Sequence, residues 1–473
     1  MGSRRGQRTC EGEFLKQVMA RFVEHTAVTV MVQAVMEHAL AADPLDDLFG
    51  KTAARQYTRE LLFSTVVDLM STVVCRFRPS IHAAYDAIRE RIPVSLAAVY
   101  QKLDGVEPEV SAALVRDVAR RLRVVIEKMG GQLPDLLPGY SLRIVDGNHL
   151  AATDRRLKVL RGSAAGPLPG FALVVLDPAA MLAVAMIPCE DGHAQERSLT
   201  DHLLALVDRG QVWLDDRNFC TMRLLFGIDK KKACFVTRQH GTSLRWETAG
   251  RRRRLGRTET GMAYEQRIRL TNEVGETMLA RRITIVLDSP TRDGDREMHI
   301  VTNLPRRAAS GQQVAELYRK RWTLETMFQE LAATLDGEID TLCYPKAALF
   351  AFSVALVAYN ALSAVKAALR ATHGHERIEH EFSAFALAVE LRARYEGMMI
   401  AVPETAWEPY REMTSTAFAH ALAQLAIHVR LSAFLKHHSG PRGPRLARLR
   451  FRDKSHVSTG RLLAHEGRQR RAP

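Results

Sequence analysis

Three acidic residues stand where they could hold a hard cation. Asp146 ends the apolar run of "RIVDGNH", Asp216 ends that of "VWLDDRNF", and Glu325 lies in "LYRKRWTLETMFQEL", Leu317 to Leu331. This last stretch has no proline or glycine and is rich in good helix formers, which predicts one helix. Tyr318, Arg321 and Glu325 then fall at i, i+3 and i+7, along one face at about 3.6 residues per turn. Leu317, Leu324, Met327 and Leu331 form an apolar stripe beside them. Carboxylates are the donors that divalent cations such as Mg²⁺ want. Two ions so held can activate a water or a 3′-hydroxyl and stabilise the leaving oxygen of a phosphodiester. Read singly, each acid is an ordinary turn acceptor or helix charge pair.

The elements that would have to converge on these residues are legible in outline. Residues from about Glu11 to Met129 read as amphipathic helices, and "MGGQLPDLLPGY" as a linker. "YSLRIVDGN", "GFALVVLDP", "MLAVAMIPCE", "QVWLDDRNF" and "KACFVTRQ" read as strands, the second and third joined in a hairpin. "RSLTDHLLALVDRG" reads as a helix ending at Gly210. A sheet of hairpin strands followed by helix and strand is a mixed α/β layer. From about His240 to Leu304 the chain turns strand-like and basic, with "GRRRRLGR" ahead of three alternating strands. Helix resumes after it. The boundaries expected are a helical region at 1–138, a candidate for binding a DNA end, an α/β catalytic domain at 139–239 and 305–372, and a β-rich insertion at 240–304. A helical region at 373–440 and a flexible basic tail at 441–473 complete the chain.

The formal net charge of +14 and pI of about 9.7 speak to partners and not to fold. Nucleic acid is the first candidate and an anionic membrane surface the second. No two of the six cysteines stand in a C-x-x-C pair, so the sequence offers neither a zinc knuckle nor a disulfide framework, and a reducing cytoplasm suits it. Ala347 to Val365 is uncharged and long enough to span a bilayer. Its alanines, Ser353, Tyr359, Asn360 and Ser363 predict a buried core helix instead.

Taken in order, the motifs resemble the DDE transposases of bacterial insertion sequences, specifically the insertion-sequence-4 family. That family has a helix motif of Tyr, two residues, Arg, three residues, Glu, six residues, Lys. Tyr318, Arg321 and Glu325 match it in register, and Ala332 stands in the lysine position. "DRNF" matches the family's aspartate–arginine motif and favours Asp216 over Asp215; "IVDGN" matches its aspartate followed by a small residue. The likeness covers roughly Tyr140 to Val365. It implies an RNase H-like catalytic domain interrupted by the β-rich insertion, with helical flanks. It implies Asp146, Asp216 and Glu325 as catalytic ligands of two Mg²⁺ ions, for which Mn²⁺ could substitute.

The same resemblance implies that Tyr318, Arg321 and Arg217 hold DNA phosphates. It places transposon-end contacts in the insertion, where Trp246 and the run Arg251, Arg252 and Arg253 are the candidates. The implied activity is cut-and-paste transposition: ends paired by a homodimer, cleaved, then joined to target DNA, in the bacterial cytoplasm and at the nucleoid, with no membrane. Relatives with this motif pass through a DNA hairpin. With the lysine absent, Arg319, Lys320 or Lys346 could take over its phosphate. Two other readings stay open: a catalytically silent protein that binds DNA ends, and an RNase H-type nuclease without strand transfer. "LFGKT" lacks the first glycine of a phosphate-binding loop, and "HGHERIEH" has the wrong histidine spacing for a zinc protease helix.

Overall fold

The structure, a computed structural model, describes residues 3–56, 60–150, 157–161, 166–241, 244–291, 294–339, 342–436 and 456–469. The N-terminal region is helical: α1 (Ser3–Ala39), α2 (Ala42–Thr52), α3 (Phe63–Val74), α4 (Ile81–Ala87), α5 (Leu96–Gly105) and α6 (Pro108–Met129). "LFGKT" is therefore the end of a helix, with no strand ahead of it. Pro108 opens α6, where its missing N–H costs no bond. Gly130 closes it at φ 66°, the left-handed position that glycine fills without strain.

The sheet follows with β1 (Ser141–Leu150), the short α7 (Lys158–Arg161), β2 (Gly166–Leu168), β3 (Gly170–Asp177), β4 (Leu182–Cys189), α8 (Thr200–Ala205), β5 (Gln211–Asp215), α9 (Met222–Lys230) and β6 (Cys234–Arg238). The helix expected to run to Gly210 is one turn of 3-10 helix followed by α8, and stops at Ala205. Five more strands are β7 (Trp246–Thr248), β8 (Arg253–Thr258), β9 (Gly261–Thr271), β10 (Thr277–Leu287) and β11 (Glu297–Thr302). The strand order is β4-β3-β1-β5-β6-β11-β10-β9-β7, with β8 also on β9. β1 pairs antiparallel with β3 and parallel with β5, and β5 parallel with β6. This mixed α/β layer is consistent with the RNase H-like expectation. The strands of 240–304 do not form a sheet of their own: Ile300 to Thr302 of β11 pair with Val236 to Arg238 of β6.

Period-two alternation gives the sheet two apolar faces. Ile144, Val174, Leu214 and Val236 face one core; Val145, Leu173, Trp213 and Phe235 face the other, beneath α8 and α9. The first face carries α10 (Gly311–Arg319), α11 (Trp322–Thr334) and α12 (Pro345–His373), with α13 (His375–Glu381), α14 (Ala384–Ala401), α15 (Glu408–Glu412) and α16 (Ser415–Ile427) beyond. α12 alone is long and apolar enough to cross a membrane among the described residues, and its apolar window is wholly buried inside the protein. It packs on α1, α3, α6, α16, β3 and β4.

One polar side chain fixes this central helix to the sheet. Asn360, fully buried, accepts from the Ala183 N–H at 2.8 Å and donates to the Ala183 carbonyl at 2.9 Å. These groups lie beside the β-bulge where β4 slips against β3. Asn360→Ala leaves both backbone groups unpaired and opens a hole, so denaturant unfolding should show a loss of about 3 kcal/mol.

The tail differs from its expected flexibility. Residues 456–469 form β12 (His456–Ser458), which pairs with β2, and α17 (Thr459–Gln469). Arg461 Nε bonds Asp191 at 2.6 Å, and Ser458 Oγ accepts from the Gly192 N–H at 3.1 Å. The tail residues 441–455 and 470–473 lie outside the described residues.

Candidate active site

The expected single helix is two. α10 ends at Arg319, and Lys320 and Arg321 pass on to α11 through i→i−3 bonds: Arg321 N–H to Tyr318 O at 3.0 Å and Leu324 N–H to Arg321 O at 3.1 Å. Both residues keep right-handed helical dihedrals, so no glycine or proline marks the joint. Ser310 and Gln313 start α10 with a reciprocal capping box, which fixes where Tyr318 falls.

Strand alternation explains which acids meet this helix pair. Ile144 lies opposite Leu214 in the parallel β1–β5 register. Asp146 and Asp216, each two residues further on, therefore point to the same face as those two, under α10 and α11. Asp215 points the other way with Trp213. It is fully buried and its carboxyl oxygens have no hydrogen-bond partner among the described residues. Burial pushes its carboxyl well above the usual carboxylate range; the Thr237 hydroxyl opposes this without completing a hydrogen bond. Asp215 thus lies behind the site, on the opposite face of β5 from Asp216.

Arg321 joins two of the acids. Its Nη1 donates to Asp146 Oδ2 at 3.0 Å and its Nη2 to Glu325 Oε1 at 2.6 Å, while the Tyr318 hydroxyl reaches Asp216 Oδ1 at 3.5 Å. All five residues singled out for chemistry are brought together. Burial lifts the Asp146 carboxyl to about 6, although Arg321 and the Gly147 N–H both favour its charged form. Burial and Asp216 push the Tyr318 phenol up. Burial disfavours the Arg321 charge, but Tyr318 and the three acids outweigh it and raise the guanidinium.

Glu196 went unnoticed in the sequence. Burial, chiefly, and the Asp146 charge lift its carboxyl to about 7, against a hydrogen bond with Asn218. The signal that could have found it is Gly147. A Cβ there would stand 2.7 Å from Glu196 Oε1 and 2.6 Å from the Phe171 ring, which is why a small residue follows Asp146.

Arg217 opens a turn of 3-10 helix directly after Asp216. Trp246, on β7, carries the Arg282 guanidinium 4.9 Å from its ring centre. Arg251, Arg252 and Arg253 are exposed at the start of β8; Arg252 lies 4.2 Å over the Tyr264 ring and 3.8 Å from Glu297. These four are apart from the acid group. The cation against Ala332 is Arg76, which donates to the Ala332 and Leu335 carbonyls at 3.2 and 2.8 Å.

Among the described residues no group of three or more His, Cys, Asp or Glu side chains is set to hold a metal ion as it stands. The guanidinium of Arg321 supplies the positive charge between Asp146 and Glu325 instead. The donor chemistry still fits a hard cation, since every candidate donor is a carboxylate oxygen. Seating one requires Arg321 to turn away from the acids.

Asp146 has a pH signature. Its folded pKa is raised above the ordinary 3.8, so its favourable contribution is present at low pH and lost as pH rises through about 6. Asp146→Asn should therefore raise metal-free stability at pH 8 by about 2 kcal/mol, with the gain gone near pH 4. Melting temperatures at the two pH values check this.

Residues 137–361 match the family model of the transposase DDE domain. No curated protein matches the chain. The matched stretch contains Asp146, Asp216, Tyr318, Arg321 and Glu325, and the match supports a DDE transposase, a class that acts on DNA with divalent metal ions.

Proposed function

We propose that this chain is a cut-and-paste transposase of the insertion-sequence-4 type, with Asp146, Asp216 and Glu325 as its catalytic metal ligands. The observation that carries the reading is Arg321 bonded to Asp146 and Glu325, with Tyr318 on Asp216, inside a stretch matched by the transposase DDE domain. Mg²⁺ bound there would polarise the phosphodiester and activate the attacking hydroxyl.

The side chains supply the rest. Arg321 is a two-pronged donor that suits phosphate as well as carboxylate. A DNA phosphate at the site competes for it, and its departure frees Asp146 and Glu325. Tyr318, held neutral, donates its O–H to a phosphate oxygen. The exposed arginines Arg251, Arg252 and Arg253 bind the backbone of the element end together with Trp246, away from the acids, while Arg217 lies close to the cut. The active form is a homodimer on two ends, working in the bacterial cytoplasm on an RNase H-like scaffold.

The test is cleavage of labelled DNA carrying the ends that flank the gene, with Mg²⁺ and with EDTA. Cuts at the element boundary in Mg²⁺ alone, and joined products once target DNA is added, are expected. Cuts without joining would make the chain a nuclease. Tight end binding without cuts would make it a silent DNA-end-binding protein, a reading favoured by Ala332 and by Arg321 lying across two of the acids.

A further inference from the structure

A cleft opens between α1, α3 and α14. Its cavity measures about 80 Å³ and is open on one side. Val32, Met36 and Val67 line it with apolar surface, and Tyr395 forms one wall, stacked on Phe77 with ring centres 3.6 Å apart. The polar groups are few. Glu37 is engaged, accepting from Gln33 at 2.7 Å and from Arg411 at 2.5 Å. Asp68 makes no hydrogen bond or ion pair among the described residues; Arg411 and Arg91 act on it only at longer range. Ser71 is 5 % exposed, and its hydroxyl, on the lining, has no hydrogen-bond partner among the described residues.

Asp68 is exposed at the cleft's edge, and the buried Ser71 hydroxyl one helical turn on is the unpaired polar group of the lining, so together they offer a cation one charged and one neutral oxygen beside an apolar wall. A hard metal ion wants six or more oxygens, and Asp68 is the one carboxylate here without a partner. A soft metal ion wants thiolate, and burial holds the Cys75 thiol neutral by pushing it up to about 12. An alkyl chain suits Val32, Met36 and Val67, and an aromatic face attracts a cationic head. We propose that this cleft binds a small organic cation of the alkylammonium class, its head on Asp68 and Ser71 beside the Tyr395 ring, its chain along Val32, Met36 and Val67.

The cleft also touches the helix that carries Glu325. Cys75 lines it, and the next residue, Arg76, sits at φ 60° and bonds the last carbonyls of α11. Asp336 N–H closes the joint by donating to Val74 O at 2.7 Å. Such a left-handed arginine persists only where its surroundings hold it.

The site does not depend on the transposase reading and is tested without DNA. Ligand-observed NMR on the full chain would compare n-pentylammonium with n-pentanol at fixed ionic strength. Saturable binding of the ammonium and none of the alcohol is expected. Asp68→Asn should weaken it at least about tenfold, the loss of one charge-assisted contact. Tyr395→Leu, which removes the ring stacked on Phe77 at the cleft wall, should weaken it several-fold while leaving the carboxylate in place. Equal signals from ammonium and alcohol in the wild-type chain, or unchanged affinity in both variants, would overturn the proposal.

Discussion

Glu325→Gln should lower metal-dependent DNA cleavage about a thousandfold while leaving the fold and DNA binding in place. The amide keeps the shape of the side chain and removes its charge, so one ligand of a divalent ion is lost; a barrier increase of about 4 kcal/mol corresponds to that factor. Stability should hardly move, within about 0.5 kcal/mol, because the Glu325 side chain is 41 % exposed. End binding should be equal or tighter, since one negative charge is removed from a site that must receive phosphates. Gel-shift, melting and cleavage measurements on the same preparation separate the three effects. Cleavage that survives the substitution would sink the assignment of Glu325 as a ligand.

The second large effect is structural. Arg281 and Glu265 form a buried pair at 2.6 Å, their side chains 9 % and 7 % exposed. Arg281 Nη1 also donates to the Leu304 and Ala309 carbonyls, each at 2.9 Å. The pair thereby ties β9 and β10 to the segment that leads into α10, and so to Tyr318. Glu265→Leu leaves a buried guanidinium without its counter-charge, and should cost about 3–5 kcal/mol in denaturant unfolding. The double variant Glu265→Leu with Arg281→Met should recover most of that loss, because two apolar groups of similar volume replace a desolvated pair. A Glu265→Leu chain as stable as wild type would show the pair to be idle.

How much of this was readable in the chain follows from the range of the forces involved. Alternation is local, so β1, β3, β4, β5, β6 and the three long strands from β9 to β11 were legible, as was the buried character of α12. The preference for Asp216 came from a motif; its reason, the parity of β5 against Leu214, needed the register with β1. The joint at Lys320 and Arg321 was invisible because both keep helical dihedrals and differ only in hydrogen-bond step. Gly147 hinted only that something packs close behind Asp146; that it is Glu196 depends on how a turn of 3-10 helix docks after β4. The pairing of β11 with β6 joins residues 236–238 to 300–302, a long-range contact that strand propensity does not specify. The return of residues 456–469 to β2 was masked by a basic, apolar-poor composition.

The unbroken sheet makes the protein a ruler. From β1, which carries Asp146, to β9 there are five strand steps, through β5, β6, β11 and β10. At about 4.8 Å per step this is about 24 Å. Arg267 and Arg269 are exposed on β9. On the proposed function, a duplex gripped there meets the acids about seven base pairs away, at 3.4 Å per pair. The two points belong to one hydrogen-bonded sheet, so on the proposed function that interval is set by the strand count.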